Sequence, residues 1–455
     1  MKMKSSTTVK AMTEGSILRH LLLFSLPLLG GNLFQQAYNL IDAAIVGRTL
    51  GADALAAVGA SSSVQFLVLG FCMGICIGMA IPIATAFGAR RYHEMRQYLY
   101  IGAVLAAVIA LLLAVITVVL CPQILHMMKT PEEIFTDADR YLRTIFAGIP
   151  VTVFYNYLAG ILRAVGDSVT PFFFLALCSF VNVALDLVFI KVLGMGCFGA
   201  ALATVAAQAI SCGLCFLVIL RRFEILHFRA EDRVWNRRMM IRMLNMGIPM
   251  GIQFSITAIG SMVMQTCNNA LGTVYVAGFA AAMKIKQLFI SPYDSLATAS
   301  ATFVSQNFGA RHRDRIHKGY RTALGMGFVY CVVSASVLIF FGRQLSMLFL
   351  KDGAPAILDA AEKFLKYNGY FWFILGILII TRQTVQGLGW SKRAIVGGCL
   401  EMAARSVVCL GLTGSLGFTA ICFADASAWF SSGVYCVILL GFCFRHVDRI
   451  LNNRS

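Results

Sequence analysis

Charge is what this chain has least of. Only 13% of its 455 residues are Asp, Glu, Lys or Arg, 59% are hydrophobic, and mean hydropathy is +0.78. Soluble domains draw about a quarter of their residues from the charged set, so a water-soluble globular protein is excluded. Acids are scarcer still, 21 against 38 Lys and Arg, and an acid inside an apolar run therefore stands out. The seven histidines do not cluster, and neither H-E-x-x-H nor G-x-S-x-G occurs. Metalloprotease and serine-hydrolase chemistry thus lack a motif; the expectation is no enzyme, no cofactor and no zinc site. Fourteen cysteines are present, but most sit in apolar runs. Cys212-Gly213-Leu214-Cys215 has redox spacing yet lies within a hydrophobic stretch, so these side chains read as small apolar fillers.

Apolar runs of about 20 residues, enough for one crossing of the hydrocarbon core, recur about twelve times. They are predicted near 17–47, 52–86, 97–120, 139–162, 170–193, 197–220, 243–270, 275–307, 319–341, 361–387, 394–413 and 418–444. The first is too long and too polar for a cleaved signal. Barrel-like alternation is absent, so the fold class expected is an all-α polytopic membrane protein of twelve transmembrane helices. The acid-rich stretch 131–143 reads as a short extracytoplasmic connection. A net charge of +17 would suit nucleic acid, but its distribution does not. Lys2, Lys4, Lys10, Arg90, Arg91, Arg96, Arg163, the run Arg221–Arg242, Arg311–Arg321, Lys392, Arg393, Arg445 and Arg454 all fall on one side of such a topology. That is the asymmetry of cytoplasmic loops. Both termini are expected in the cytoplasm, with membrane lipids and not nucleic acid as neighbours.

The chain also repeats itself. Phe87-Gly88-Ala89-Arg90 recurs as Phe308-Gly309-Ala310-Arg311, and Leu50-Gly51 as Leu271-Gly272, both 221 residues on. Pro27 recurs as Pro249, and Gly166-Asp167-Ser168 lines up with Gly389-Trp390-Ser391. An even number of spans per repeat keeps both in one orientation. The expected organisation is two pseudo-symmetric six-helix bundles, an N-lobe at 1–220 and a C-lobe at 240–455, joined by a basic linker at 221–239. Duplicated bundles of this kind are the usual build of secondary transporters, with a substrate path between the halves.

Candidate chemistry lies in polar residues that a membrane helix would otherwise avoid. In the first span Asn32, Gln35, Asn39 and Asp42 share one helical face. Asn182 and Asp186 repeat the pattern one turn apart in the fifth span, and Thr204 with Gln208 in the sixth. Carboxylates, an amide and a hydroxyl from three helices suit either a small cation with oxygen ligands or a pair of acids sharing protons. The second half differs: its first span holds Gln253, Thr257, Gln265, Asn268 and Asn269 but no acid. Its second carries Lys284, Lys286 and Asp294. Lys286 and Asp294 read either as a charge-compensated structural pair joined through a partner or as cleft residues touching substrate. Glu401 and Arg405 have ion-pair spacing. The asymmetry suggests that the first half holds a coupling ion. Aromatic residues such as Tyr38, Tyr155 and Tyr293 suit adaptable apolar and cation–π contacts.

Pro27, the run Gln35-Gln36-Ala37-Tyr38-Asn39-Leu40-Ile41-Asp42, Val46-Gly47, Leu50-Gly51 and Ala56-Ala57-Val58-Gly59 resemble the opening of a multidrug and toxic compound extrusion (MATE) transporter. Ser305-Gln306-Asn307-Phe308-Gly309-Ala310 and Leu162-Arg163-Ala164-Val165-Gly166-Asp167 are similar to that family's other motifs. The resemblance covers essentially the whole chain and implies export driven by an inward H+ or Na+ gradient. It is closer to the DinF-like branch, whose N-lobe acidic site maps onto Asp42, Asn182, Asp186 and Thr204, with Gln35 and Tyr141 as further members. The NorM-like branch places acids where this sequence has Thr257 and apolar residues such as Leu375. The function expected is an ion-coupled antiporter in the plasma membrane, working as a monomer and exporting small organic molecules of cationic or amphipathic type. A flippase for a lipid-linked precursor is the alternative. Substrate-cleft candidates are Tyr38, Asn39, Tyr155, Gln253, Lys286, Tyr293 and Asp294.

Overall fold

The computed structural model describes residues 11–128, 130–350 and 354–452, and among them there is no strand. Lys2, Lys4, Lys10 and Arg454 lie outside the described residues. The first repeat folds into α1 (Ile17–Leu50), α2 (Ala52–Gly88), α3 (Tyr92–Met127), α4 (Glu132–Ala147), α5 (Ile149–Ala164), α6 (Val169–Asp186) and α7 (Gly196–Arg222). The second gives α8 (Arg237–Asn269), α9 (Thr273–Gly309), α10 (Arg313–Met347), α11 (Pro355–Tyr370), α12 (Trp372–Gly387), α13 (Ser391–Leu416) and α14 (Phe418–Asn452). Ten helices are long and apolar enough to cross a membrane, and counting the bent pairs α4–α5 and α11–α12 as one span each gives twelve. Leu111, Val115 and Val119 on α3 and Val329, Val333 and Phe340 on α10 are exposed, as a hydrocarbon surrounding requires.

One expectation is corrected. The stretch 131–143 is not a connection: α4 begins at Glu132 and buries Ala138, Tyr141, Leu142, Ile145 and Phe146 on one face, its acids on the other. Averaged hydropathy hides a helix whose apolar face is so narrow. Nor is the fourth span of either repeat straight. It bends by 44° between α4 and α5 and by 57° between α11 and α12. In the first case Pro150 has no N–H to give to Phe146. In the second the N–H of Phe371 turns back to the Asn368 carbonyl at 3.2 Å, closing a tight turn without a proline.

The sequence repeat is a repeat of backbone breaks. Gly51 and Gly272, at φ 94° and 104°, open α2 and α9, and Gly166 and Gly389, at 88° and 89°, follow α5 and α12. Arg90 and Arg311 adopt left-handed φ of 55° and 63°. In both, the preceding helix is closed by the same pattern: Arg91 N bonds to Ala86 O at 3.0 Å, and His312 N to Asn307 O at 2.9 Å. These are C-caps of the left-handed kind, with arginine where glycine is usual.

Contacts divide the described chain into two compact units, one built mainly of 26–251 and the other of 13–25 with 252–452. The first centres on α2, whose Cys72, Ile75, Met79 and Ile83 are buried among Leu99, Phe146 and Leu162. Within this unit α2 meets the start of α8 backbone to backbone: a Cβ on Gly78 would lie 2.5 Å from the Met246 carbonyl oxygen, and one on Gly74 2.6 Å from that of Met250. Gly247 and Gly251 face them, so each helix presents a G-x-x-x-G edge, the pattern that lets membrane helices touch closely. The second unit packs α9 against α10, α11 and α12, with α14 against α11, α12 and α13, and buries Tyr293, Phe303, Phe364 and Trp372.

The connection after α7 is more ordered than a basic linker. Phe223 and Leu226 are buried, and Asp232 has no exposed surface. Its carboxylate accepts from His93 Nδ1 at 2.6 Å, Arg96 Nε at 2.6 Å and the Arg229 backbone N–H at 2.9 Å, pinning the segment to α3. Burial alone would push this carboxyl up, but the donors outweigh it and hold it below the usual carboxylate range. The second repeat has a counterpart in Asp448 of α14, which accepts from Arg313 Nε at 2.6 Å and His317 Nε2 at 3.1 Å on α10.

Candidate functional site

In the first unit four helices bring polar groups to one place. Asp42 comes from α1, Tyr141 from α4, Asn182 and Asp186 from α6 and Thr204 from α7. Asp186 has no exposed surface and Asn182 almost none. Asp186 is also the last residue of α6, beyond which the chain widens into a π-helical turn, Leu187–Val192. Such turns rearrange the backbone hydrogen bonds of a helix and are common at functional sites. Turned so that its nitrogen faces the acid, the Asn182 amide donates to Asp186 Oδ2 at 3.0 Å while its oxygen accepts from Thr204 Oγ1 at 3.2 Å. Thr204 is thereby tied to Asp186 through one amide, which is why α7 contributes to the site.

The two carboxyls face each other at hydrogen-bonding range, with Tyr38 and Tyr141 beside them. Asp42 Oδ1 and Asp186 Oδ1 are both buried and without a hydrogen-bond donor. Among the described residues neither acid pairs with a cationic side chain, although Lys and Arg outnumber acids 38 to 21. Two like charges about 4 Å apart repel by about 4 kcal/mol even at an effective dielectric constant near 20. The pair therefore calls for a positive charge, either a proton shared between the oxygens or a small cation held by them with the neighbouring amide and hydroxyl oxygens. Gln35 and Asn39, on the same helix as Asp42, are exposed. Gln208, one turn beyond Thr204, instead accepts from Thr152 on α5. Tyr155 is buried, and its hydroxyl donates to the Pro171 carbonyl at 3.3 Å, packing α5 on α6.

The second unit holds a different arrangement. Lys286 of α9 is bonded to Asp425 Oδ2 of α14, not to a group shared with Asp294. Arg405 Nη2 of α13 lies 3.0 Å from Asp425 Oδ1 and 3.3 Å from Glu401 Oε1. Arg382 Nη1 of α12 donates to Glu401 Oε2 at 2.9 Å. Charges of alternating sign thus run Lys286, Asp425, Arg405, Glu401, Arg382 across four helices, all buried but the last. The Lys286 ammonium also lies 5.6 Å and 5.4 Å from the ring centres of Phe364 and Trp429. The i, i+4 pair Glu401–Arg405 forms as its spacing suggests, but as the middle of this run. Half-buried Asp294 has Arg382 as its charged neighbour. Gln253 accepts from Gln386 Nε2 at 2.6 Å, and Tyr293 is fully buried with its hydroxyl on the Gly327 carbonyl at 3.4 Å.

Sequence reasoning passed over Asp425 and Arg382. The signal was present: both are charges within apolar spans, the criterion that picked out Asp42 and Asp186.

Comparison with known proteins follows this geometry. The MatE family profile matches residues 27–188 and 249–409, one match in each repeat. The chain is 29% identical over 384 residues to a probable multidrug resistance protein, YpnP, of Bacillus subtilis, covering 84% of this chain and 85% of that protein. A more distant relative, at 22% identity over 368 residues and 80% of each chain, is named as the FAD transporter of Shewanella oneidensis. The fold superposes on an outward-facing multidrug resistance MATE transporter with a TM-score of 0.90 at 22% identity, over 98% of this chain and 99% of that one. With a match in each repeat that together take in most of its residues, the chain belongs to the MatE family of multi-pass multidrug efflux transporters.

Proposed function

We propose that the protein is a secondary active antiporter of the cell membrane, both termini cytoplasmic, that exports organic compounds of cationic or amphipathic type in exchange for H+ or Na+ by alternating access. The observation that carries this reading is the pair Asp42 and Asp186, one half-buried and one buried acid in contact, each with a buried oxygen that has no donor and neither with a cationic partner. In this reading Asp42 and Asp186 hold the coupling ion, and Asn182 and Thr204 orient them. Tyr38, Tyr141 and Gln35 complete the surroundings. An acidic site in the first half is the arrangement that the resemblance to the DinF-like branch implies. An ion couples transport only if it binds one conformation more tightly than the other. The π-helical turn after Asp186 gives α6 a place to shift one of the two acids relative to the other. Substrate contacts are assigned to Asn39, Tyr155, Gln253, Lys286, Tyr293 and Asp294 with Tyr38, and the functional lobes to 1–220 and 240–455 around the 221–239 connection.

The test uses purified protein in liposomes, with ethidium efflux followed under separate pH and Na+ gradients. Asp42→Asn and Asp186→Asn preserve shape and remove the charge. Both are expected to cut gradient-driven efflux at least tenfold while the protein still inserts and elutes as a folded species. Asn182→Ala and Thr204→Ala should weaken the Na+ response specifically if Na+ is the coupling ion. Wild-type, gradient-dependent efflux in both Asn variants would overturn the proposal.

A further inference from the structure

The two units leave opposite chemistry unsatisfied. In the first, the buried unpartnered atoms of the site are carboxylate oxygens, Asp42 Oδ1 and Asp186 Oδ1. In the second, they include three guanidinium nitrogens: Arg382 Nε, Arg405 Nε and Arg405 Nη1. Arg405 is only 3% exposed, so these N–H groups are not turned to solvent. A guanidinium can only donate, from five N–H bonds in a fixed plane, so no rotation or amide-like reversal removes the excess. Both Glu401 oxygens are engaged, while Asp425 Oδ1 is itself buried without a hydrogen bond, paired by charge with Arg405 at 3.0 Å. Glu401 gives one oxygen to each arginine, and Asp425 gives Oδ2 to Lys286 with Oδ1 facing Arg405 Nη2. The run itself carries three cations and two acids, and Asp294 beside Arg382 is a third acid. Ser432 Oγ on α14 is buried without a partner and can donate too. Besides Asp425 Oδ1, Gln386 Oε1 is an unpartnered acceptor, but an amide, unlike a guanidinium, presents either end.

We infer that this cluster is a binding site for an anionic group, a carboxylate or a phosphate, taken by Arg382 and Arg405. Guanidinium groups suit such ligands because their N–H bonds match the oxygens of a carboxylate or phosphate in pairs. Arg382 and Arg405 are held from either side of Glu401, which fixes their planes and leaves their remaining donors oriented. A cation is disfavoured there: it would meet guanidinium N–H groups, which can only donate. Where the anionic group belongs to a transported molecule, this restricts the antiport reading, on which that role rests, to the amphipathic type and, within it, to compounds bearing an acidic group. Binding itself stands apart from that reading.

Tryptophan fluorescence reports on the site directly, since Trp429 lies beside Lys286 and is packed edge-on to Trp372 at 6.0 Å. The purified full-length protein is titrated at constant ionic strength with inorganic phosphate, acetate, benzoate and phenyl phosphate. A saturable change is expected in the wild-type protein. It should need at least tenfold more ligand in Arg382→Gln with Glu401→Gln, which removes one charge of each sign. Arg382→Lys, which keeps the charge and loses the fork, should weaken it severalfold, and this milder variant carries the test if the double one fails to fold. Benzoate or phenyl phosphate acting at tenfold lower concentration than phosphate assigns the group to an organic molecule. Equal responses assign it to the free anion, and both results uphold the site. No saturable response in folded wild-type protein, or an unchanged one in the Arg382 variants, overturns it. Asp42→Asn with Asp186→Asn should leave the titration untouched, so a failure of ion coupling and a failure of this site are read separately.

Discussion

The closest helix contact in the first unit sets a measurable ranking. Replacing Gly78 by Ala puts a methyl 2.5 Å from the Met246 carbonyl oxygen and 2.6 Å from Gly247 Cα. All of these neighbours are backbone, so no rotamer change relieves them. Ordinary contacts of this kind sit at about 3.5 Å or more, so α2 and α8 must part locally by about 1 Å. Overpacking on this scale costs about 1–3 kcal/mol. The same substitution in open surroundings should instead gain up to about 1 kcal/mol of helix propensity, and Gly213 on α7, with nothing within 4 Å, provides that control. The distances grade the rest of the edge: 2.6 Å for Gly74, 2.8 Å for Gly251 and 3.1 Å for Gly247. Heating each Ala variant in detergent and following loss of the monodisperse species should therefore give midpoints in the order Gly78, Gly74, Gly251, Gly247 from lowest upward. Gly213→Ala should fall at or above wild type. If Gly78→Ala melts with the wild-type protein, or the control falls as far as Gly78→Ala, close backbone contact is not what these glycines supply.

Asp232→Asn should free the 223–236 connection from α3, because charge-assisted hydrogen bonds of the kind made to Arg96 and His93 are worth about 1.5–3 kcal/mol each; faster limited proteolysis within the segment at neutral pH is the readout. The Asp232 carboxyl is held below its ordinary range, so its contribution is present above the unfolded value of about 4 and is lost only as pH falls through the lower folded value. The wild-type connection should thus stay protected at pH 5, and loss of protection between pH 7 and pH 5 would contradict the sign. In the second unit, Lys286→Met leaves Asp425 short of a cation in a buried setting and should cost about 3–5 kcal/mol, seen as a fall in folded yield. Adding Asp425→Asn should recover part of it, and no recovery would mean that Lys286 acts through its aromatic neighbours.

What the sequence discloses here depends on how local the cause is. A left-handed φ is a property of one residue, so the breaks at Gly51 and Gly272, or Gly166 and Gly389, appear in the chain as recurring glycines and mark the repeat. Span positions are legible for a similar reason, since twenty apolar residues carry their own signal. The bends between α4 and α5 and between α11 and α12 are less so: only the first has a proline to announce it. The six residues of the π-helical turn, Leu-Val-Phe-Ile-Lys-Val, look like any apolar helix. Polar residues inside spans are visible one at a time, and this found Asp42, Asn182 and Asp186. Their partners are not visible, because partnership depends on which helices adjoin. Lys286 was read with Asp294, eight residues along its own helix, whereas its acid is Asp425, 139 residues away on α14. The repeats have kept the features that each residue enforces alone and diverged in those that need a distant neighbour. That is why two halves with the same backbone breaks differ, with unpartnered guanidinium donors only in the second among the described residues. Duplication copies a frame, and the polarity of a site built on that frame changes with a few side chains.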